Sequence, residues 1–144
     1  MAFAADPGEG GLRVFAKLAA VHWFPLFAYL GAIHYLSSMS QPPPLLQFRW
    51  DKAGHFVEFL LLAVLSSRAL HRTFPALALS WVVVLSGVFG FLYGTVDEYR
   101  QSFVPGRMAD FLDAVADAVG AFAGAGAYVA LISRWRGRVE GLRG

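Results

Sequence analysis

Apolar residues run along the chain in four long blocks, at residues 17–37, 54–70, 75–96 and 109–132, with polar or turn-forming segments between them. Each block approaches the roughly 20 helical residues needed to cross a hydrocarbon core of about 30 Å. The separators suit this division. SSMSQPPPLLQFRWD carries a triple proline that cannot continue a helix, RALHRTFP is basic and ends in a proline that suits a helix start, and SFVPGR reads as a turn. The second block is the shortest. WVVVLSGVFGFLYG has almost no polar face, which argues against a soluble helical bundle. The first block follows Arg13 and Lys17 as a signal peptide would, but it is long for such a segment and no convincing A-x-A site follows it.

Composition points the same way, since 57% of the 144 residues are apolar and only 15% are charged. The expectation is an all-α polytopic membrane protein: a cytoplasmic N-terminal segment at 1–16, a four-transmembrane-helix bundle at 17–132 and a basic cytoplasmic tail at 133–144. Lys and Arg set its orientation. Arg13, Lys17, Arg68, Arg72, Arg134, Arg136, Arg138 and Arg143 fall on one side, and only Arg49, Lys52, Arg100 and Arg107 on the other. Both termini are therefore expected in the cytoplasm, with the segments before the second and fourth helices facing outward. A net charge of +2 with scattered basic residues excludes a nucleic-acid footprint. The absence of cysteine excludes disulfides, thiolate metal sites and cysteine nucleophiles.

Against this background the acids stand out. Seven of the ten, Asp51, Glu58, Asp97, Glu98, Asp110, Asp113 and Asp117, lie near the outer ends of three blocks. Asp51, His55 and Glu58 are spaced to share one helix face, as are Asp110, Asp113 and Asp117; Asp97 and Gln101 are four apart. Glu58 and Asp117 should each lie about 10 Å of helix rise inward from the first acid of their block. At that depth an ionisable side chain is costly unless it is paired or faces water. Lys52, His55, Arg100 and Arg107 are the cationic partners at hand, so the geometry expected is a funnel open to the outside between the second, third and fourth helices.

Two function classes fit such a funnel. In an extracytoplasmic hydrolase or transferase acting on a lipid-linked substrate, His55 or Asp97 would be the general base and Glu58 or Glu98 an acid partner. Asp110, Asp113 and Asp117 are candidate ligands for Mg²⁺ or another divalent cation. In a binding protein, Lys52, Gln101, Arg107, Asp51 and Tyr93 would hold the head group of a membrane lipid, a lipid-linked cell-wall precursor or a lipoglycopeptide, Arg107 bidentately. A non-catalytic alternative makes the cluster a structural ion-pair network that fixes helix packing. A proton path finds little support, because the first block has no acid and the inner halves of the blocks are almost free of ionisable groups. His22, His34 and His71 read as packed or interfacial residues, and Trp23, Trp50 and Trp135 as belt anchors. Gly120, Gly124 and Gly126 give small-xxx-small spacing for close helix packing.

Three motifs together resemble the VanZ-like family of bacterial membrane proteins. They are D-K-x-x-H-F with a following acid (Asp51, Lys52, His55, Phe56, Glu58), Y-G-x-x-D-E-x-x-Q-x-F-V-P-G-R from Tyr93 to Arg107, and D-x-x-D-x-x-x-D/N-x-x-G (Asp110, Asp113, Asp117, Gly120). The likeness covers about the last two-thirds of the chain. Asp117 departs from the family pattern, which usually has asparagine there. The resemblance implies a small protein of the bacterial cytoplasmic (inner) membrane, similar to one whose namesake gives low-level resistance to the glycopeptide teicoplanin. It implies no particular reaction and no oligomeric state.

Overall fold

The computed structural model describes residues 11, 13–14, 16–17, 19–40 and 51–142, with the side chains of Ala19 and Asp51 outside that description. All regular structure among the described residues is helical. A π-helical turn over Ala19–Trp23 runs into α1 (Phe24–Ser37), followed by α2 (Asp51–Thr73), α3 (Leu79–Gln101) and α4 (Phe111–Gly141). Pro25 stands in the first turn of α1, directly after the π-helical turn. Three stretches among the described residues are long and apolar enough to cross a membrane: Lys52–Thr73, Leu79–Gln101 and Phe111–Gly141. With 14 residues, α1 alone falls short of that length.

Helix limits differ from the apolar blocks for physical reasons. Helix α2 begins at Asp51 and continues to Thr73, because charged residues at the ends of a span can remain helical while reaching the interface. Helix α3 starts only at Leu79, since Pro75 lies in a turn closed by the Leu77 N–H donating to the Phe74 carbonyl at 2.9 Å. At its other end α3 runs through Gln101, so Asp97 and Gln101 share its last turns. Helix α4 does not stop with its apolar residues: it carries SRWRGRVEG as continuous helix to Gly141, so Arg134, Arg136 and Arg138 are part of it.

The core lies between α2, α3 and α4, around Phe59, Leu62, Ala63, Ala121 and Ala125, and α1 adds Leu26 and Ile33 to one side. Small residues let α4 come very close to both partners. A Cβ on Gly120 would strike the carbonyl oxygen of Phe56, and one on Gly124 that of Leu60, one helical turn further along α2. Gly126, grouped with them on spacing, has open space around it. Tyr29 ties α1 to α2 by donating to the Glu58 carbonyl at 3.1 Å, and Tyr93 ties α3 to α1 by donating to that of Leu30 at 3.1 Å. Phe91 and Leu92 on α3 and Val119 and Phe122 on α4 are exposed, an arrangement suited to lipid as the surrounding medium.

The end away from the acids is pinned by neutral and basic groups. The Trp23 indole N–H donates to Thr73 Oγ1 at 2.8 Å. Arg136 Nη2 lies 2.8 Å from His71 Nε2 and can only donate, so Nε2 accepts and the His71 proton sits on Nδ1, from which it donates to Tyr128 Oη at 3.0 Å. His71 is thus a packed residue, as expected. The glycine seam gives a direct test. Gly120→Ala forces a methyl group onto backbone and should cost about 1–3 kcal/mol, read as a lower melting temperature in detergent, whereas Gly126→Ala should leave the melt unchanged.

Candidate functional site

Four helix ends meet at one end of the bundle: the C-termini of α1 and α3 and the N-termini of α2 and α4. The link from α3 to α4 is tight, with Arg107 N–H donating to the Val104 carbonyl at 3.0 Å. Gly106 takes a φ of 83°, a left-handed conformation that glycine adopts without a Cβ clash. Asp110 then caps α4 by accepting from the Leu112 N–H at 2.8 Å. The charged residues around this junction form two clusters of different character.

The first is centred on Asp97, which is only 4% exposed. Its Oδ1 accepts from Ser37 Oγ and from Arg100 Nη1, both at 2.8 Å, and its Oδ2 accepts from Gln101 Nε2 at 2.9 Å. Arg100 Nη2 continues to Ser38 Oγ at 2.9 Å. Arg107 donates from Nη1 to Gln101 Oε1 and from Nε to the Met39 carbonyl, both at 3.4 Å. Every oxygen of the buried carboxylate has a donor, two of them on one atom, so its charge is accommodated by hydrogen bonds that join α3 to the end of α1.

The second cluster surrounds His55, whose Nδ1 lies 2.8 Å from Asp117 Oδ1. Its Nε2 faces Glu98 Oε1 and Asp113 Oδ2, each at 3.9 Å, too far for a hydrogen bond. Glu98 Oε2 accepts from the Asp110 N–H at 3.0 Å. Glu98 Oε1 and Asp117 Oδ2 are buried and have no hydrogen-bond partner among the described residues. At the rim, exposed Lys52 donates from Nζ to Asp110 Oδ2 at 2.7 Å and to Asp113 Oδ1 at 3.1 Å. The Lys52 ammonium holds the Asp110 carboxyl below the usual carboxylate range. Asp117 can lie this deep because α3 presents Gly94 to it: a Cβ there would come within 2.6 Å of Asp117 Oδ2.

The VanZ/LLP1 family model matches residues 10–133, which takes in all four helix ends and both clusters. The chain belongs to the VanZ/LLP1 family. No curated protein and no solved structure matches it. With its three membrane-capable helices it is a VanZ-like membrane protein.

Within this VanZ/LLP1 chain the residues singled out from sequence separate into groups. His55, Glu98, Asp113 and Asp117 come together. Asp110 caps α4 with its carboxylate on Lys52 at the rim and its N–H on Glu98, Asp113 stands between Lys52 and His55, and Asp117 lies in the interior. Asp97 joins Gln101 and Arg107 in the stitched cluster. Tyr93 uses its hydroxyl on the Leu30 carbonyl, and Glu58 is half-buried on α2 one turn beyond His55. The Asp51 side chain and Trp50 lie outside the described residues. Sequence reading missed Ser37, Ser38 and Met39, which bring α1 into a site expected from three helices alone, and gave Gly94 no role beyond its place in the Tyr93–Arg107 motif. The serines had looked like the start of a linker; their only signal was a hydroxyl pair at the end of an apolar block.

The satisfied cluster predicts a stability effect. Asp97→Ala leaves Ser37, Arg100 and Gln101 without their acceptor and should cost on the order of 1–3 kcal/mol, measured by thermal melting in detergent. Tyr99→Phe, at an exposed position two residues away, should stay within about 0.5 kcal/mol of wild type.

Proposed function

We propose that this VanZ-like protein crosses the bilayer four times, residues 19–37 supplying the fourth span, with both termini in the cytoplasm of a bacterial inner membrane. At its outer end it offers a polar intramembrane site that binds the head group of a lipid-linked or amphiphilic envelope molecule. One observation carries this reading: Lys52 stands exposed on the rim, while His55, Glu98, Asp113 and Asp117 lie behind it on helices whose flanks are apolar and exposed. An anionic head group would meet Lys52 and Arg107 first, its acyl part remaining in lipid beside α3 and α4. Arg107 keeps Nη2 free of hydrogen bonds to the described residues. As a consequence of such binding, we propose a contribution to tolerance of teicoplanin-type glycopeptides.

A catalytic version uses His55 as general base, since its imidazole is the one group of the second cluster with a ring nitrogen that can accept a proton while the other is held by Asp117. The observation that favours a purely structural network is confined to Asp97, whose oxygens are all engaged; the His55 cluster is not closed in that way.

Two experiments test the proposal. The chain has no cysteine, so single cysteines can report topology: Ser102→Cys should react with an impermeant maleimide from outside intact cells, while Ala5→Cys and Arg138→Cys should react only after permeabilisation. Labelling of Arg138→Cys in intact cells would reverse the orientation. For binding, native mass spectrometry of the purified chain should show a retained envelope amphiphile, whose affinity falls by about tenfold in His55→Gln and in Glu98→Gln. If both variants keep affinity and glycopeptide tolerance, the head-group site is wrong; if affinity persists while tolerance is lost, a reaction is required.

A further inference from the structure

We propose that His55, Glu98 and Asp117 form a binding site for a divalent first-row transition-metal cation. The inference rests on the outward polar site proposed above and adds what that site holds. One nitrogen of His55 and one oxygen from each carboxylate lie within 4.8 Å of one another, at three positions contributed by α2, α3 and α4. The independent observation is the pair of orphaned oxygens. Glu98 is 6% exposed and Asp117 fully buried, and in each residue one oxygen is held while the other has no donor among the described residues. A buried carboxylate oxygen with no donor is expensive in apolar surroundings. Two such oxygens on neighbouring helices imply a shared positive partner.

Charge leads to the same place. Asp110 and Asp113 are engaged by Lys52, and Asp97 by Arg100. That leaves Glu98 and Asp117 with one imidazole as the basic group beside them, which Asp113 Oδ2 also faces at 3.9 Å, while Glu58 adds a further half-buried acid one turn along α2. A divalent ion balances both carboxylates without requiring His55 to be protonated. Distances suit it as well: ligand atoms bonded at about 2.1 Å stand roughly 3–4 Å apart around one ion. The 3.9 Å between His55 Nε2 and Glu98 Oε1 falls within that range, and with Nε2 turned to the ion His55 Nδ1 keeps its 2.8 Å contact to Asp117 Oδ1, leaving the orphaned Asp117 Oδ2 as the third ligand atom. An imidazole nitrogen with two carboxylates selects Mn²⁺ or Zn²⁺ over Mg²⁺. Three protein ligands leave coordination positions open, which an anionic head group would fill.

The test uses the full chain, stripped with EDTA and placed in phosphatidylcholine nanodiscs. Mn²⁺ is titrated by loss of its free electron-spin-resonance signal, with Zn²⁺ as competitor. We expect about one saturable Mn²⁺ per chain, weakened by at least about tenfold in Glu98→Gln and in Asp117→Asn and unchanged in Glu140→Gln, far along α4. Wild-type protein alone gives a second readout, since pulsed spectra of the bound ion should carry nitrogen coupling from His55. Absence of saturable binding, binding without nitrogen coupling, or binding unaffected by Glu98→Gln and Asp117→Asn in folded protein would each overturn the inference. Loss of Mn²⁺ binding with the amphiphile still retained sinks the cation and spares the head-group site. Mn²⁺ bound by a chain that retains no amphiphile upholds the cation and sinks the head-group site.

Discussion

The end of the bundle that carries both charged clusters depends on how near the backbone of α4 can come to its neighbours. Between helices in lipid there is little hydrophobic gain from association, so packing rests on van der Waals contact and polar bonds across the interface. Gly120 and Gly124 bring α4 onto the Phe56 and Leu60 carbonyls, and Gly94 makes the corresponding hollow in α3. Asp117, one turn from Gly120, is carried by that approach into the gap beside His55 and away from lipid. The aspartate is therefore buried because the glycines are there, and His55 meets it because the helices are already in register.

Once those helices are set, the surrounding charges fall into two kinds. Around Asp97 every oxygen is matched by a donor, and the donors belong to α1 and α3, so the cluster works as a fastening. Around His55 the matching stops short, with two buried oxygens left over. Both kinds occur within a few residues of each other: Asp97 and Glu98 are adjacent in sequence, and the helical rotation between them turns one toward α1 and the other toward α2 and α4.

Much of this was legible from spacing. The apolar blocks located all four helices, and the i, i+3, i+4 and i+7 intervals put His55 on one face of α2 and the aspartates on one face at the start of α4; that these faces meet follows from how the helices pack. Helix limits were harder, because charged ends remain helical at a membrane interface and because Arg134 to Gly141 contain nothing that must stop a helix. The part played by α1 was not legible at all: Ser37 and Ser38 became ligands of Asp97 and Arg100 through a contact 60 or more residues away in sequence. Nor does spacing distinguish glycines at a seam from those facing outward, so Gly126 was grouped with Gly120 and Gly124 though its surroundings are open. That distinction depends on where neighbouring backbones lie.

The glycine seam also fixes where this chain is free to vary. On the outer faces of α3 and α4, Phe91, Leu92 and Val119 are exposed, and one apolar side chain there can replace another. At Gly120 and Gly124 the smallest possible enlargement already meets backbone, and neither a rotamer change nor a neighbouring side chain can yield to absorb it. Sequences that keep this fold are therefore constrained most tightly where the chain has no side chain to show, and drift in them should run along the surface that lipid covers.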